Sequence, residues 1–202
     1  MTERTDLMRS PLADRASAIK AAGAPGIVSL RELPTATQID LRGNPGDAAF
    51  LAGARTTLGF DLPGEPNRAT TKNERAALWL SPDQWLVLAP FAEREAFLNG
   101  LRAQLAGQHV AVADVSANRV LLELAGPKAR EVIAKGCGLD LHPRSFTPGC
   151  CAQSLLARSQ ALIWQTDNAP TYRVMVRPSF AGYVVDFLVD GMREYALRPI
   201  AR

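Results

Sequence analysis

Alternating apolar residues followed by helical spacing occur twice along the chain. In "TQIDLRGNPGDAAFLAGARTTLGFDLP", residues 37–63, the alternation ends at Gly43. In "NRVLLELAGPKAREVIAKGCGLDLHP", residues 118–143, it ends at Gly126. The alternation predicts a half-buried strand, and the apolar pairs that follow predict an amphipathic helix. A proline close behind each glycine suits the first helical turn, so each copy is predicted to begin with a strand and a helix.

The two copies continue alike beyond the first helix. The segments "ALWLSPDQWLVLAP" and "ALIWQTDNAPTYRVMVRP" each predict two strands joined by a turn rich in Ser, Pro, Asp or Asn. An amphipathic helix follows each segment. The sequence therefore predicts an α+β fold of two repeated βαββα units, with two sheets backed by helices and an extra strand at "CAQSLLAR". We predict an extended N-terminal arm over residues 1–24, a first half over 25–108 and a second half over 109–202.

Composition narrows the class of protein. The chain has 202 residues, of which 47% are hydrophobic, and its net charge is only +3. That length is sufficient to bury one large core or two small ones. The basic residues are scattered, which disfavours a nucleic-acid-binding face. No apolar run approaches the roughly 18 residues that span a bilayer. The N-terminal "MTERTDLMRSPLADRASA" lacks the apolar stretch of a secretory signal, so we predict no membrane association and a cytoplasmic location.

Few residues offer catalytic or metal-binding chemistry. The three cysteines form no CxxC pair, and neither of the two histidines lies at ligand spacing from a cysteine, so no metal site is predicted. Cys137 lies near a helix end that disfavours a thiolate, and Gly138 after it suits the left-handed residue that ends a helix. Cys150 and Cys151 are adjacent on a predicted strand, so one is expected in the core and the other outward. A redox role for these two is the alternative.

Two motifs have both a structural and a functional interpretation. The Gly126–Pro127 turn at a helix start resembles a phosphate-binding turn, but its spacing fits neither of the known glycine-rich patterns and Pro127 removes a donor. The matching turn at Gly43 favours a structural role. In "ADVS", residues 113–116, an Asp and a Ser suggest catalysis, whereas a turn in which both side chains bond to nearby backbone explains them without chemistry.

The stretch "YRVMVRPSFAGY" indicates a possible subunit interface. Arg173 and Arg177 project from one face of the predicted strand, and Phe180 follows at the start of the helix. Arginine beside aromatic residues is enriched at protein interfaces, and solvated arginines at a strand edge are the alternative. We predict contacts with a partner through this face and through Pro11 and Leu12 of the N-terminal arm. The tryptophans on the paired strands are expected to pack within the sheets, with a stacking site for a flat ligand as the alternative.

Three long segments carry a family resemblance: "ALWLSPDQWLVLAP", "ADVSANRVLLELAGPKAREVIAKGCGLDLHPRSFTPGCCAQSLLARSQALIWQ" and "YRVMVRPSFAGYVVDFLVDGMREYA". Together they resemble the gamma-subunit family of heterotetrameric sarcosine oxidases, and "SPLAD" at residues 10–14 is similar to the N-terminus of that family. Its wider relatives are the folate-binding domains of aminomethyltransferases, in which "DVS", a strand and a "G-P-x-A" helix recur. The resemblance thus implies a folate-binding-domain-like architecture.

The resemblance also implies a function. Complexes of this family demethylate sarcosine oxidatively to glycine, with hydrogen peroxide formed from oxygen and the one-carbon unit transferred to tetrahydrofolate. It implies that FAD, FMN and NAD lie with the alpha and beta subunits and zinc with the small delta subunit. This chain is then expected to be a non-catalytic structural subunit that packs chiefly against alpha, with no catalytic, cofactor-binding or metal-binding residues of its own. The alternatives are a stand-alone folate-binding or aminomethyltransferase-like protein, and an RNA-binding adaptor.

Overall fold

A computed structural model describes residues 9–196, and its ten strands form two five-stranded sheets. The strands are β1 Ser29–Glu32, β2 Ala36–Arg42, β3 Ala69–Lys72, β4 Arg75–Ser81, β5 Gln84–Pro90, β6 Ala111–Asp114, β7 Val120–Ala125, β8 Cys151–Leu156, β9 Ser159–Gln165 and β10 Thr171–Val176. The helices are α1 Ala16–Ala21, α2 Ala48–Leu58, α3 Arg94–Gln104, α4 Ala129–Ala134 and α5 Pro178–Ala196. Short 3-10 turns cover Ala13–Arg15 and Phe91–Glu93. The predicted α+β fold is confirmed.

Both sheets have the same order of equivalent strands. The first runs β3-β4-β5-β2-β6 and the second β8-β9-β10-β7-β1, with every neighbouring pair antiparallel. Each copy therefore contains three strands between its helices. The extra strand predicted in the second copy is present as β8. Its counterpart in the first copy, β3, escapes prediction because its four residues form an edge strand with two exposed positions.

The edge strands cross between the halves. β1 precedes the first copy in sequence but pairs with β7, and β6 precedes the second copy but pairs with β2. Each half thus completes the sheet of the other with one strand. The boundary at residue 108 stays a prediction, because sheet membership does not divide the chain at a single point.

The first half packs two helices on its sheet. Asp47 caps α2 by accepting a hydrogen bond from the backbone N–H of Ala49 at 2.8 Å, and Gly59 ends it in the left-handed conformation with φ 84°. Apolar residues of α2 and α3 then meet β2, β4 and β5 in one core. The buried members of that core are Ile39, Leu41, Phe50, Ala54, Leu58, Leu62, Ala77, Trp85, Val87, Ala89, Phe97, Leu101 and Leu105.

In the second half, α4, α5 and the N-terminal segment pack against the second sheet. Tyr172 is fully buried, stacks with Phe146 at 6.4 Å between ring centroids, and accepts a hydrogen bond from Arg130 Nε at 3.0 Å. Residues 1–24 were expected to form an extended arm. Residues 1–8 lie outside the described residues, and the described part is helical over 13–21. Leu12 and Ile19 are buried in this core, so the segment folds onto the chain rather than away from it.

A third core, which we call the inter-sheet core, joins the two sheets face to face. Its buried members are Ala76, Leu78, Leu80, Leu86 and Leu88 from the first sheet and Leu121, Cys151, Leu162, Trp164 and Met175 from the second. Both faces of each sheet are therefore covered, one by helices and one by the other sheet. None of the helices within residues 9–196 is long and apolar enough to cross a membrane.

Candidate functional site

Two open grooves border the inter-sheet core. The first, here the tryptophan groove, has a volume of about 660 Å³ and is lined by Trp164 and Arg173 together with residues of β4 and β5. The second, here the arginine groove, has a volume of about 340 Å³ and is lined by Arg119 and Arg177. Arg119 also lines an adjoining groove of about 770 Å³ that reaches the N-terminal segment. Small molecules and peptide segments bind preferentially in concave surfaces of this kind.

Strand register places arginines at both ends of the inter-sheet core. One row of register partners crosses the second sheet as Arg31, Glu123, Arg173, Trp164 and Cys151. The next row toward the core is apolar and includes the pair Leu121–Met175. Arg119 and Arg177 follow one residue beyond the last register pair of β7 and β10, so side-chain alternation puts them on the same face. The apolar Leu121–Met175 row therefore lies between a row that contains Arg173 and the pair Arg119 and Arg177.

The first copy of the repeat lacks these charges. Arg173 pairs with Glu123 in the second sheet, and the equivalent pair in the first sheet is Leu86 with Asp40. Since the same register relates the two sheets, the Arg119 and Arg177 positions correspond to Ala36 and Pro90, which are themselves register partners. The fold accommodates apolar residues at these points, so the arginines are a property of the second half alone.

In the tryptophan groove, Arg173 is held over an aromatic ring. Its guanidinium carbon lies 4.9 Å from the centroid of the Trp164 ring, a cation–π contact. Burial lowers the pKa of Arg173, and the charge of Glu123 opposes that shift. Glu123 itself accepts a hydrogen bond from Arg31 at 2.7 Å. Within the described residues, Trp164 Nε1 and Arg173 Nε are buried without a hydrogen-bond partner, so this end of the sheet is packed around donors that it does not satisfy.

In the arginine groove, two cations lie opposite each other. Burial lowers the pKa of Arg119, the charge of Arg177 lowers it further, and Asp40 partly opposes both effects. The backbone position of Arg119 is fixed, because its carbonyl accepts a hydrogen bond from Gln38 Nε2 at 2.8 Å. Sequence reasoning missed Arg119. It comes one residue before a strand, and nothing in the local pattern shows that Arg177 lies across from it.

The predicted interface residues do not form one surface. Arg173 is half-buried over Trp164, while Arg177 is exposed at the other end of β10. Phe180 is 48% exposed near Arg177, and its N–H donates a hydrogen bond to the Arg177 carbonyl at 2.9 Å. In the N-terminal segment, Pro11 is exposed and lines the large groove, whereas Leu12 has no exposed surface. Leu12 belongs to the core because it packs inside the second half.

The "ADVS" segment has the structural role. Asp114 accepts hydrogen bonds from the Ser116 N–H at 2.9 Å and the Ser116 hydroxyl at 2.6 Å, and Arg94 Nε donates to it at 2.7 Å. Ser116 Oγ in turn accepts from the Gln38 N–H at 3.0 Å. Burial raises the pKa of Asp114, but the Ser116 hydrogen bonds and the Arg94 cation outweigh it and hold the pKa below its usual value. The predicted turn is confirmed.

The Gly126 turn is also structural. Its φ is 118°, and a Cβ on this residue would lie 2.5 Å from the Ile27 carbonyl oxygen. The same oxygen accepts the Lys128 N–H at 3.1 Å, and Gly126 accepts the Ala129 N–H at 2.9 Å. The N–H groups that a phosphate would need are therefore already bonded to backbone. This confirms the structural interpretation of the turn. Gly138, in contrast, does not take the predicted left-handed conformation.

The three cysteines are free and buried. Cys150, just before β8, and Cys151, its first residue, do face opposite sides of the sheet. The prediction that one points outward is wrong, because the first sheet covers the face on which Cys151 lies. Burial raises the pKa of the Cys151 thiol to about 12. Cys137 lies 3.9 Å from the Ser154 hydroxyl. Across residues 9–196, no group of three or more His, Cys, Asp or Glu side chains could hold a metal ion.

Comparison with known proteins identifies the family of the chain. Residues 42–194 match the model of the sarcosine oxidase, gamma subunit family. The chain belongs to this family. Two sarcosine oxidase gamma subunits are similar over its whole length: one from Corynebacterium sp. (strain P-1), 38% identical, and one from Arthrobacter sp., 39% identical. In both comparisons the match covers 100% of this chain and 98% of the relative.

Solved structures show the fold of this family. A chain of the heterotetrameric sarcosine oxidase from Corynebacterium sp. U-96, in complex with pyrrole 2-carboxylate, superposes with a TM-score of 0.87 at 35% identity. The match covers 96% of this chain and 100% of that one. The glycine cleavage system aminomethyltransferase T from Bartonella henselae superposes with a TM-score of 0.61 at 16% identity, over 88% of this chain and 48% of that chain. The second likeness confirms the expected relation to the aminomethyltransferase fold and shows the fold alone.

Proposed function

We propose that this gamma-subunit family member is a non-catalytic structural subunit of a flavin-dependent heterotetrameric sarcosine oxidase. The observation that carries the proposal is the match over 96% of this chain to a chain of a heterotetrameric sarcosine oxidase. The proposed complex, in the cytoplasm, demethylates sarcosine to glycine. In this reaction oxygen becomes hydrogen peroxide, and the one-carbon unit passes to tetrahydrofolate.

The chemistry of the described residues supports a passive role in that reaction. The Asp–Ser motif is committed to a turn, the phosphate-like turn is closed by backbone hydrogen bonds, and the Cys151 thiol has a pKa of about 12. Asp114 and the Gly126 turn are therefore engaged in folding, and the Cys151 thiol is protonated at neutral pH, so none of the three suits a general base, an anion-binding turn or a nucleophile. We propose that FAD, FMN, NAD and zinc are bound by the alpha, beta and delta subunits, and that this chain packs chiefly against alpha.

Part of the proposed contact surface lies around the start of α5. Phe180 and Tyr183 are 48% and 43% exposed on this helix, beside the exposed Arg177. Large exposed aromatic residues next to an arginine have the composition of an interface centre. Pro11, exposed in the N-terminal segment, is proposed as a second contact. Leu12 is not part of this proposal, since its side chain is fully enclosed by the chain itself.

Co-expression with the flavin-carrying subunits tests the proposal. We expect the chain to elute with flavin absorbance in size-exclusion chromatography, and we expect the isolated chain to be colourless and inactive. Phe180→Ala should weaken assembly while leaving the fold intact. Leu51→Ala is the matched control, because Leu51 is 37% exposed on the first half. A yellow, active isolated chain, or a chain that never elutes with flavin, would refute the structural role.

The alternative is a stand-alone folate-binding or aminomethyltransferase-like protein. The fold shared with aminomethyltransferase T is the observation that favours it. Calorimetric titration of the isolated chain with tetrahydrofolate separates the two functions. Micromolar binding by the isolated chain supports the alternative, and the absence of heat under conditions where the chain assembles with flavin subunits supports the structural role.

A further inference from the structure

Two cations lie close together in the arginine groove, and their repulsion lowers the stability of the fold. Arg119 and Arg177 extend two hydrogen-bonded antiparallel strands and lie across from each other. Like charges at opposed positions of a sheet destabilise it, and the partial burial of Arg119 increases the cost of its charge. The depressed pKa of Arg119, caused by burial and then by Arg177, reports both effects.

Several other arginines of the chain are paired with carboxylates. Arg15 Nε lies 3.0 Å from Asp186, an Arg75 terminal nitrogen lies 2.7 Å from Glu93, and one of Arg94 lies 2.6 Å from Asp114. Within residues 9–196, neither arginine of the groove takes part in a salt bridge or a side-chain hydrogen bond. The acidic groups nearby do not fill this role. Asp40 acts on Arg119 only at longer range, and Glu32 in the adjoining groove accepts a hydrogen bond from Ser10 at 2.6 Å.

The repeat shows that folding does not require this pair. The equivalent register pair of the first copy, Ala36 with Pro90, has no charge, yet the first sheet has the same strand order as the second. Two arginines that the fold does not need, held opposite each other without a counterion, have the properties of a binding feature that is completed from outside the chain.

The rest of the groove suits a segment of protein. Its lining includes Gln153 and Gln160, whose side-chain amides can hydrogen-bond a backbone, as Gln153 Nε2 already does to the Leu80 carbonyl at 3.1 Å. Leu155 at the rim is 54% exposed and offers an apolar contact. Arginine, amides and an exposed leucine around a groove of about 340 Å³ match the mixed composition of a subunit contact.

We propose that Arg119 and Arg177 bind an aspartate- or glutamate-bearing segment of a partner subunit, so that the charge pair is neutralised only in the assembled complex. This inference rests on the proposed function, because it requires the chain to assemble with other subunits. It adds to that function the chemistry of the contact: an acidic segment enters the arginine groove and forms charge-assisted hydrogen bonds with both guanidinium groups.

Two measurements test this inference: the affinity for the flavin-carrying subunits and the melting temperature of the isolated chain. The chain carrying Arg119→Gln and Arg177→Gln is titrated onto the flavin-carrying subunits at several NaCl concentrations, and the melting temperature of the isolated variant is recorded. We expect affinity to fall at least about tenfold with a shallower salt dependence. We also expect no loss of melting temperature, because the repulsion is removed. Arg144→Gln, a change at an exposed arginine of the loop after α4, should leave affinity within about twofold of wild type.

A charge-reversed variant tests whether the partner segment is negatively charged. Arg177→Glu should weaken assembly more than Arg177→Gln, since it sets a carboxylate against a carboxylate. Wild-type affinity and salt slope in the double variant would overturn the inference, as would equal effects of Glu and Gln at position 177. A melting temperature that falls together with affinity would assign the pair a folding role instead. Failure of the wild-type chain to assemble would refute the proposed function itself, so the two outcomes are distinguishable.

Discussion

Replacing Gly126 with alanine places a methyl group against backbone that cannot rotate away. The added Cβ would lie 2.5 Å from the Ile27 carbonyl oxygen, 3.0 Å from the Ile27 carbonyl carbon and 3.1 Å from Val28 Cα. The residue also has a φ of 118°, which side chains of L-amino acids rarely allow. The backbone must shift to accept the methyl, and the hydrogen bond from the Lys128 N–H to the Ile27 carbonyl is then lost or stretched.

The expected cost follows from these two effects. A non-glycine residue in a disfavoured backbone region costs about 1–3 kcal/mol. Loss of the Lys128–Ile27 hydrogen bond adds about 1 kcal/mol. The free energy of unfolding should therefore fall by about 2–4 kcal/mol, out of a total of about 5–15 kcal/mol for a typical domain. For a chain of this length each kcal/mol lowers the melting temperature by about 2–4 °C, so Gly126→Ala should melt about 4–16 °C below wild type.

Thermal unfolding followed by circular dichroism measures this shift. Gly138→Ala is the matched control, because Gly138 has no positive φ and an added Cβ meets no atom within 4 Å. We expect the control to melt within about 2 °C of wild type, as most surface substitutions do. If Gly126→Ala melted as the control does, the close approach between the turn and Ile27 would not be a constraint on the fold, and the structural interpretation of the turn would fail.

Three further predictions concern Leu12, Cys151 and Asp114. Leu12→Ala should lower the free energy of unfolding in urea by about 2–5 kcal/mol, whereas Pro11→Ala at an exposed neighbour should change it little. An equal effect of both would contradict the burial of Leu12. With its pKa raised to about 12, the Cys151 thiol should resist iodoacetamide at pH 8 in the native chain and react after unfolding, as read by mass spectrometry. Rapid native labelling would show that it is accessible. Asp114, whose folded pKa is depressed, stabilises the fold above its unfolded pKa of about 4 and loses that contribution as pH falls through the folded value. Asp114→Asn should therefore be less stable than wild type at pH 7, with the difference shrinking in acid; an undiminished difference at low pH would refute this.

The repeated strand–helix units could be predicted because their signals are local. Alternation in β2 and β7 ends at a glycine in each copy, and the helices that follow bury residues at the predicted spacing. The turn at Asp114 was predictable for the same reason, since Asp and Ser side chains bond to backbone two residues away. In each case the residues that determine the structure are close together in the chain.

Features that depend on distant pairing could not be predicted. β1 and β6 are short, and their exchange between halves is set by hydrogen bonds to strands far along the chain. The burial of β8 on both faces was missed because it depends on the first sheet packing against the second. Arg119 was overlooked since its significance comes from Arg177 across the sheet. A single sequence shows the alternation of one strand but not the register between two.

The two copies of the repeat differ in charge at equivalent positions of the inter-sheet face, and this difference bears on the function. If both copies served only to fold, the equivalent positions on the inter-sheet face would be free to remain apolar, as Leu86 and Pro90 are in the first sheet. The second sheet instead has Arg173 and Arg177 there, one of them desolvated over Trp164 and the other facing a second arginine. The charge of Arg177 opposes that of Arg119 in the isolated chain, and the acidic partner segment proposed above would offset this repulsion through a contact that the first half does not make. The proposed contact thus lies on the second half of this gamma-subunit chain.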